Sequence, residues 1–175
     1  MKNKWVRVSS IIFFIIAFYL VEFSPWGSGS IGVYNGGYGT FDMKQYDAQT
    51  VYMVLGNYLP EGFIRIRYYY LVDFIFIIAF LTFQVMLSTL VYKNIESQIP
   101  RKLFIGVALI RAIADAIENV LLYFIITSYP SEHANLVNIS SIVTQTKLRM
   151  IPLWAALVLI GIICNHISIK PREVK

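Results

Sequence analysis

The segment 109–126, LIRAIADAIENVLLYFII, sets Arg111, Asp115, Glu118 and Asn119 into an otherwise apolar run. Two carboxyls, a guanidinium and an amide in such a setting suit proton transfer or the binding of a polar ligand. On a helix each residue turns by about 100°, which puts Asp115 at about +40°, Glu118 at about −20° and Asn119 at about +80° from Arg111. The four share one sector, while Ile113, Ile117, Val120, Leu121 and Phe124 cover much of the remainder. The spacing therefore predicts a polar stripe turned inward on an apolar helix.

Two other apolar segments carry partners for that stripe. Asp73 shares a helical face with Tyr69, Tyr70, Ile77 and Gln84. Ser140, Ser141, Thr144 and Lys147 line a face in the last apolar segment, and Arg149 points away from it. The candidate ligand-binding set is Asp73, Arg111, Asp115, Glu118, Asn119, Thr144 and Lys147. In a catalytic version Glu118 or Asp115 is the general acid/base, and Lys147 stabilises developing anionic charge. Three carboxyls face two cations, so one carboxyl is expected to hold a proton or to bind a cation or amine. Glu118 is the candidate for that unmatched group. Arg111 claims Asp115 at an i,i+4 spacing, and Asp73 lies nearer the interface, where Lys147 and water keep it ionised.

The elements that must hold these residues are set by hydropathy. The 175-residue chain is 57% hydrophobic and only 14% charged, with a mean hydropathy of +0.62. Soluble domains carry about 25% charged residues. Apolar runs at 8–23, 68–92, 103–127 and 141–167 each approach or exceed the ~20 residues that cross a bilayer. We expect an all-α polytopic membrane protein, residues 1–175 forming a single four-helix bundle. No short alternating segments suggest barrel strands.

Lys2, Lys4 and Arg7, then Lys93, Arg101 and Lys102, then Lys170, Arg172 and Lys175 all fall on one side of a four-span topology. The positive-inside rule puts that side, with both termini, in the cytoplasm. A plasma-membrane location is expected, and topology accounts for the net charge of +5 without nucleic acid. Ile11–Val21 has the length of a signal peptide core, but Glu22, Phe23 and Pro25 follow it and no A-x-A-like site does. It is expected to stay as a span.

The segment 24–66 is the one sizeable extracytoplasmic part. Its Gly-rich first half reads as loop. Asp42 and Gln45 then suggest a capping box for a short helix carrying Met43, Tyr46, Thr50, Val54 and Tyr58, ended by LPEG at 59–62. Such a helix lies on the outer membrane surface or caps the bundle. Tyr68, Tyr69 and Tyr70, with Trp26 and Tyr129, read as an interfacial aromatic belt. Pro152 is expected to kink the last span near Lys147.

YYYLVDFIF, ADAIENVLL and TQTKL in consecutive segments resemble an uncharacterised family of small four-span integral membrane proteins. That family carries Asp in span two, D-x-x-E-N in span three and T-x-x-K at the entry to span four. The resemblance covers spans two to four. It implies that Asp73, Asp115, Glu118, Asn119, Thr144 and Lys147 belong together, and it implies no activity.

Three functions fit these residues. One is an outward-opening polar pocket that binds or modifies a lipid headgroup or small polar molecule. Another is a small proton-coupled transporter that oligomerises to enclose a path. The third is a tetraspan scaffold or partner subunit. The residues leave open whether the chain is an enzyme. No metal or other cofactor is expected: His133 and His166 lie on opposite sides, and Arg and Lys sit beside the carboxyls. No thiol–base pair, serine elbow or phosphate loop is present.

Overall fold

The computed structural model describes residues 2–42 and 44–169, with side chains from 4 to 166. Met43, and the basic residues Lys170, Arg172 and Lys175, lie outside the described residues, as does the Lys2 side chain. Every regular element among the described residues is helical: α1 (Lys2–Glu22), α2 (Ser28–Ile31) with a 3-10 turn (Gly32–Tyr34), α3 (Ala48–Gly56), α4 (Pro60–Val91), α5 (Ile99–Ser128) and α6 (Ala134–Ile169).

Three helices are long and apolar enough to cross a membrane: Lys4–Glu22, Pro60–Val91 and Ala134–His166. α5 has 30 residues but is set apart by charge. Any 18-residue window within it holds Arg111 and Asp115 together with either Glu118 or Arg101 and Lys102. Each of the long helices starts earlier in the chain than expected, α1 at Lys2 rather than 8 and α5 at Ile99 rather than 103. α6 starts at Ala134 rather than 141, and α4 at Pro60 rather than 68. Pro60 explains the last of these differences. LPEG ends α3 as expected, but proline sits at the first position of α4, where its missing N–H costs no intrahelical bond. α6 runs through Pro152 as a single helix.

α5 packs along both α4 and α6, while α1 rests on α4. Small or buried residues at Ser10, Ala17 and Val21 form the inner stripe of α1, with Phe14 between them. The Phe14 ring lies 5.2 Å from Phe80 and 4.8 Å from Phe83. The rest of α1 exposes Ile12, Ile15, Ile16 and Tyr19, a surface suited to lipid. The expected outward face of α5 is also observed, since Ile113, Ile117, Val120 and Phe124 are exposed.

Residues 23–59 fold as a cap over the end of the bundle formed by the start of α4, the end of α5 and the start of α6. Ile31, Phe41, Val51 and Leu55 are buried in one apolar cluster with Ile66 of α4, Leu122 and Ile126 of α5 and Val137 of α6. The turn after the 3-10 element needs Gly36, Gly37 and Gly39, whose φ values are 68, 87 and 84, a region costly for side-chain-bearing residues. Asn35 closes this turn by donating to the Gly39 carbonyl at 2.7 Å and to the Tyr58 hydroxyl at 2.8 Å. A second apolar cluster, Val91, Tyr92, Phe104, Val107 and Leu157, seals the other end of the bundle. There α6 approaches α4 so closely that a Cβ on Gly161 would lie 2.2 Å from Val91 Cγ1.

The short helix of the cap differs from its expected form. It begins at Ala48, and its cap is Asp47, whose carboxylate accepts from the Thr50 backbone N–H at 2.8 Å. Both Asp42 and Asp47 are followed by residues that suit a helix. The local pattern cannot choose between them, and tertiary contacts take Asp42 elsewhere.

Candidate functional site

The α5 stripe is buried as its spacing requires. Arg111 is 2% exposed, Asp115 3%, and Glu118 and Asn119 0%. Lys147 of α6 enters between the two carboxyls, its Nζ 2.5 Å from Glu118 Oε2 and 3.2 Å from Asp115 Oδ1. Arg111 Nη1 holds the other Asp115 oxygen at 2.7 Å. Its Nε donates to Gln84 Oε1 at 3.4 Å, and its guanidinium lies 4.3 Å from the centre of the Phe80 ring. Thr144 donates from Oγ1 to the remaining Glu118 oxygen. Asn119 donates to Asp73 Oδ2 at 2.8 Å.

All seven candidate residues are therefore buried on the facing sides of α4, α5 and α6. Arg149 is exposed, as expected. Two finer expectations are corrected. Glu118 is not the unmatched carboxyl, because Lys147 reaches it from α6. Asp73 has an amide for a partner, while Lys147 is committed to Asp115 and Glu118.

Two site residues, Asp42 and Tyr46, come from places the helical pattern did not indicate. Asp42, in the cap, accepts from the Tyr69 hydroxyl at 2.5 Å. The Tyr46 hydroxyl lies 2.7 Å from Ser140 Oγ and 3.0 Å from Thr144 Oγ1. Tyr70 donates nothing to a belt either; its hydroxyl accepts from the Phe41 N–H at 3.4 Å. Tyr69 and Tyr70 are 2% and 0% exposed, so of the three consecutive tyrosines only Tyr68 suits the belt. A tyrosine at a helix entrance reads as interfacial by sequence. The cap, folding over the helix ends, turns that interface into an interior.

With Asp42 included, the described buried charges are Asp42, Asp73, Asp115 and Glu118 against Arg111 and Lys147. Two carboxyls exceed the cations. Isolated buried charge is costly enough that such groups take up protons or acquire a positive partner. Asp42 Oδ1 and Asn119 Oδ1 are buried acceptors without a hydrogen-bond donor among the described residues.

The cluster is sealed, yet Tyr46, bonded to it and only 5% exposed, reaches the wall of a cleft. Tyr46 and Ser141 line an open cleft of about 450 Å³ between the cap and α6. Gln45 and Asp47 stand on the cap side, and Asn138, Gln145 and Arg149 on the α6 side. Hydrogen bonds from Thr50 hold the exposed Asp47 carboxyl below its usual range, so it is an anion at neutral pH. Burial pushes the Tyr46 phenol upward, so its hydroxyl keeps its proton and can donate to Thr144, which donates in turn to Glu118. From the cleft wall a continuous series of contacts runs through Tyr46, Thr144, Glu118, Lys147, Asp115 and Arg111 to Gln84.

Among the described residues no group of three His, Cys, Asp or Glu side chains is arranged to hold a metal ion. Comparison of the chain with protein-family models, curated proteins and solved structures finds no match.

Proposed function

We propose that the chain is a four-span plasma-membrane protein with cytoplasmic termini, whose buried polar cluster serves a site opening to the outer leaflet. The site binds a lipid headgroup or a small polar molecule. α5 is its fourth span, carried across the bilayer with its charges turned inward against α4 and α6. The resemblance to the small four-span family belongs to this reading.

The observation that carries it is the position of Tyr46, one side of which lines the cleft while its hydroxyl engages the residue bonded to Glu118. Energetics agree. Interhelical polar contacts return about 0.6 kcal/mol on average, whereas each central charge costs roughly 2.5–3.5 kcal/mol to insert. Five ionisable groups on the spans, Asp73, Arg111, Asp115, Glu118 and Lys147, are an expensive means of fixing helix packing alone. Depth agrees too. Glu118 lies 16 residues above Lys102, or about 24 Å, in a hydrocarbon core about 30 Å thick. Acid–base work in this site would fall to Glu118, with Lys147 holding it in place.

The contact series from Tyr46 to Gln84 favours proton-coupled transport as a second reading. The apolar layer of Val91, Tyr92, Phe104, Val107 and Leu157 opposes it, since it closes the inner end beneath Gln84. The outward-opening site therefore leads.

Infrared difference spectroscopy tests the reading. Adding mixed phospholipids to the detergent-solubilised chain is expected to shift a carboxyl band that disappears in Glu118→Gln. A wild-type spectrum indifferent to lipid would count against a site.

A further inference from the structure

We propose that the cleft between the cap and α6 takes a zwitterionic phospholipid headgroup, one bearing both a phosphate and a primary ammonium. This rests on the outward-opening site proposed above and narrows its ligand.

The cleft presents one cation and one anion on opposite walls, Arg149 on α6 and Asp47 on the cap. A guanidinium suits phosphate because its planar donors match the phosphate oxygens. The Asp47 carboxylate accepts hydrogen bonds from Thr50 and is itself exposed, so its negative charge stands open to an ammonium. A purely anionic headgroup would meet Asp47 and, behind Tyr46, a cluster in which carboxyls outnumber cations. A purely cationic amine would meet Arg149. A headgroup with both charges meets an opposite charge on each wall, and uncharged Gln145 and Asn138 supply hydrogen bonds between them.

The cleft also has the right surroundings for a lipid rather than a free headgroup. Ile142 lines it and is 67% exposed, with Ile139 at 50% on the same outer face of α6. They lie outward of Arg149 on α6, whereas Leu153 and Ile160, 45% and 52% exposed and on the same helical face inward of it, offer an apolar path for acyl chains below that cation. Arg149 lies 17 residues above His166, about 25 Å along the helix, within reach of the outer interface by extending its side chain upward.

The test uses the full chain in detergent, titrated with dihexanoyl phosphatidylethanolamine, dihexanoyl phosphatidylglycerol and phosphoethanolamine, with binding read by native mass spectrometry. Phosphatidylethanolamine is expected to bind at least about tenfold more tightly than the other two. Asp47→Ser keeps a good helix cap and removes the charge. It should erase the preference over phosphatidylglycerol. Arg149→Gln should weaken both lipids. Equal binding of the two lipids, or a preference that survives Asp47→Ser, overturns the proposal. Phosphoethanolamine binding as tightly as the lipid overturns its lipid part. Selective binding with an unchanged Glu118 infrared band would sink the coupled-site reading and leave this one standing.

Discussion

Lys147 Nζ lies 2.5 Å from Glu118 Oε2, a contact between α6 and α5 that also brings the same ammonium within 3.2 Å of Asp115. One cation thus ties two turns of α5 to α6. Lys147 is 4% exposed and Glu118 0%, so neither charge has water to fall back on.

Removing that cation leaves two carboxylates facing each other. Lys147→Met is expected to destabilise by about 3–5 kcal/mol, the usual cost of breaking a buried pair. Adding Glu118→Gln should recover part of the loss, whereas Asp73→Asn, whose partner is Asn119, should add independently. Unfolding of the single and double variants in mixed micelles measures this. Full additivity of Lys147→Met with both Glu118→Gln and Asp115→Asn would remove Lys147 from the cluster.

Four spans require the loops before and after α5 to lie on opposite sides. Ser97 and Ser131 are both exposed. With Cys164 replaced by serine, a cysteine at 131 is expected to react with an impermeant thiol reagent in intact cells, and one at 97 only after lysis. Labelling of both from outside would mean that α5 does not cross.

Alkaline stability should depend on the cap tyrosines. Burial pushes the phenols of Tyr46 and Tyr58 above the ordinary value of 10.0. The folded state therefore holds these protons more tightly than the unfolded one. Their contribution is complete below pH 10 and is lost as pH rises above it. Tyr46→Phe is expected to cost about 0.5–1.5 kcal/mol at pH 7 through its lost hydrogen bonds. The variant should then lose less stability than wild type between pH 9 and pH 11. Parallel curves of melting temperature against pH would contradict this.

The helices and the facing of α5 were legible because periodicity carries both. Arg111, Asp115, Glu118 and Asn119 had one sector available to them, and Thr144 and Lys147 follow the same rule on α6. Asp42 and Tyr46 were not legible as site residues. They lie in non-periodic chain, and their places depend on how the cap closes over the helix ends. Asp42 looked like a helix cap because its neighbours fit that pattern, and only the Tyr69 hydroxyl reveals its use. The unmatched carboxyl was misassigned for a related reason. Depth along separate helices gives the level of each group, but it does not say which carboxyl a long lysine side chain will reach.

The central claim is that the sealed cluster communicates with the outside through Tyr46. A cysteine replacing Ser140, which is 0% exposed and 2.7 Å from the Tyr46 hydroxyl, reports on this directly when Cys164 is replaced by serine. A small charged thiol reagent applied from outside is expected to leave Ser140→Cys unmodified while Tyr46 is intact, and to modify it when Tyr46→Ala is added. The same reagent confined to the inner side should not react in either background. Modification from the inner side, or continued protection from outside in the Tyr46→Ala chain, would contradict the account.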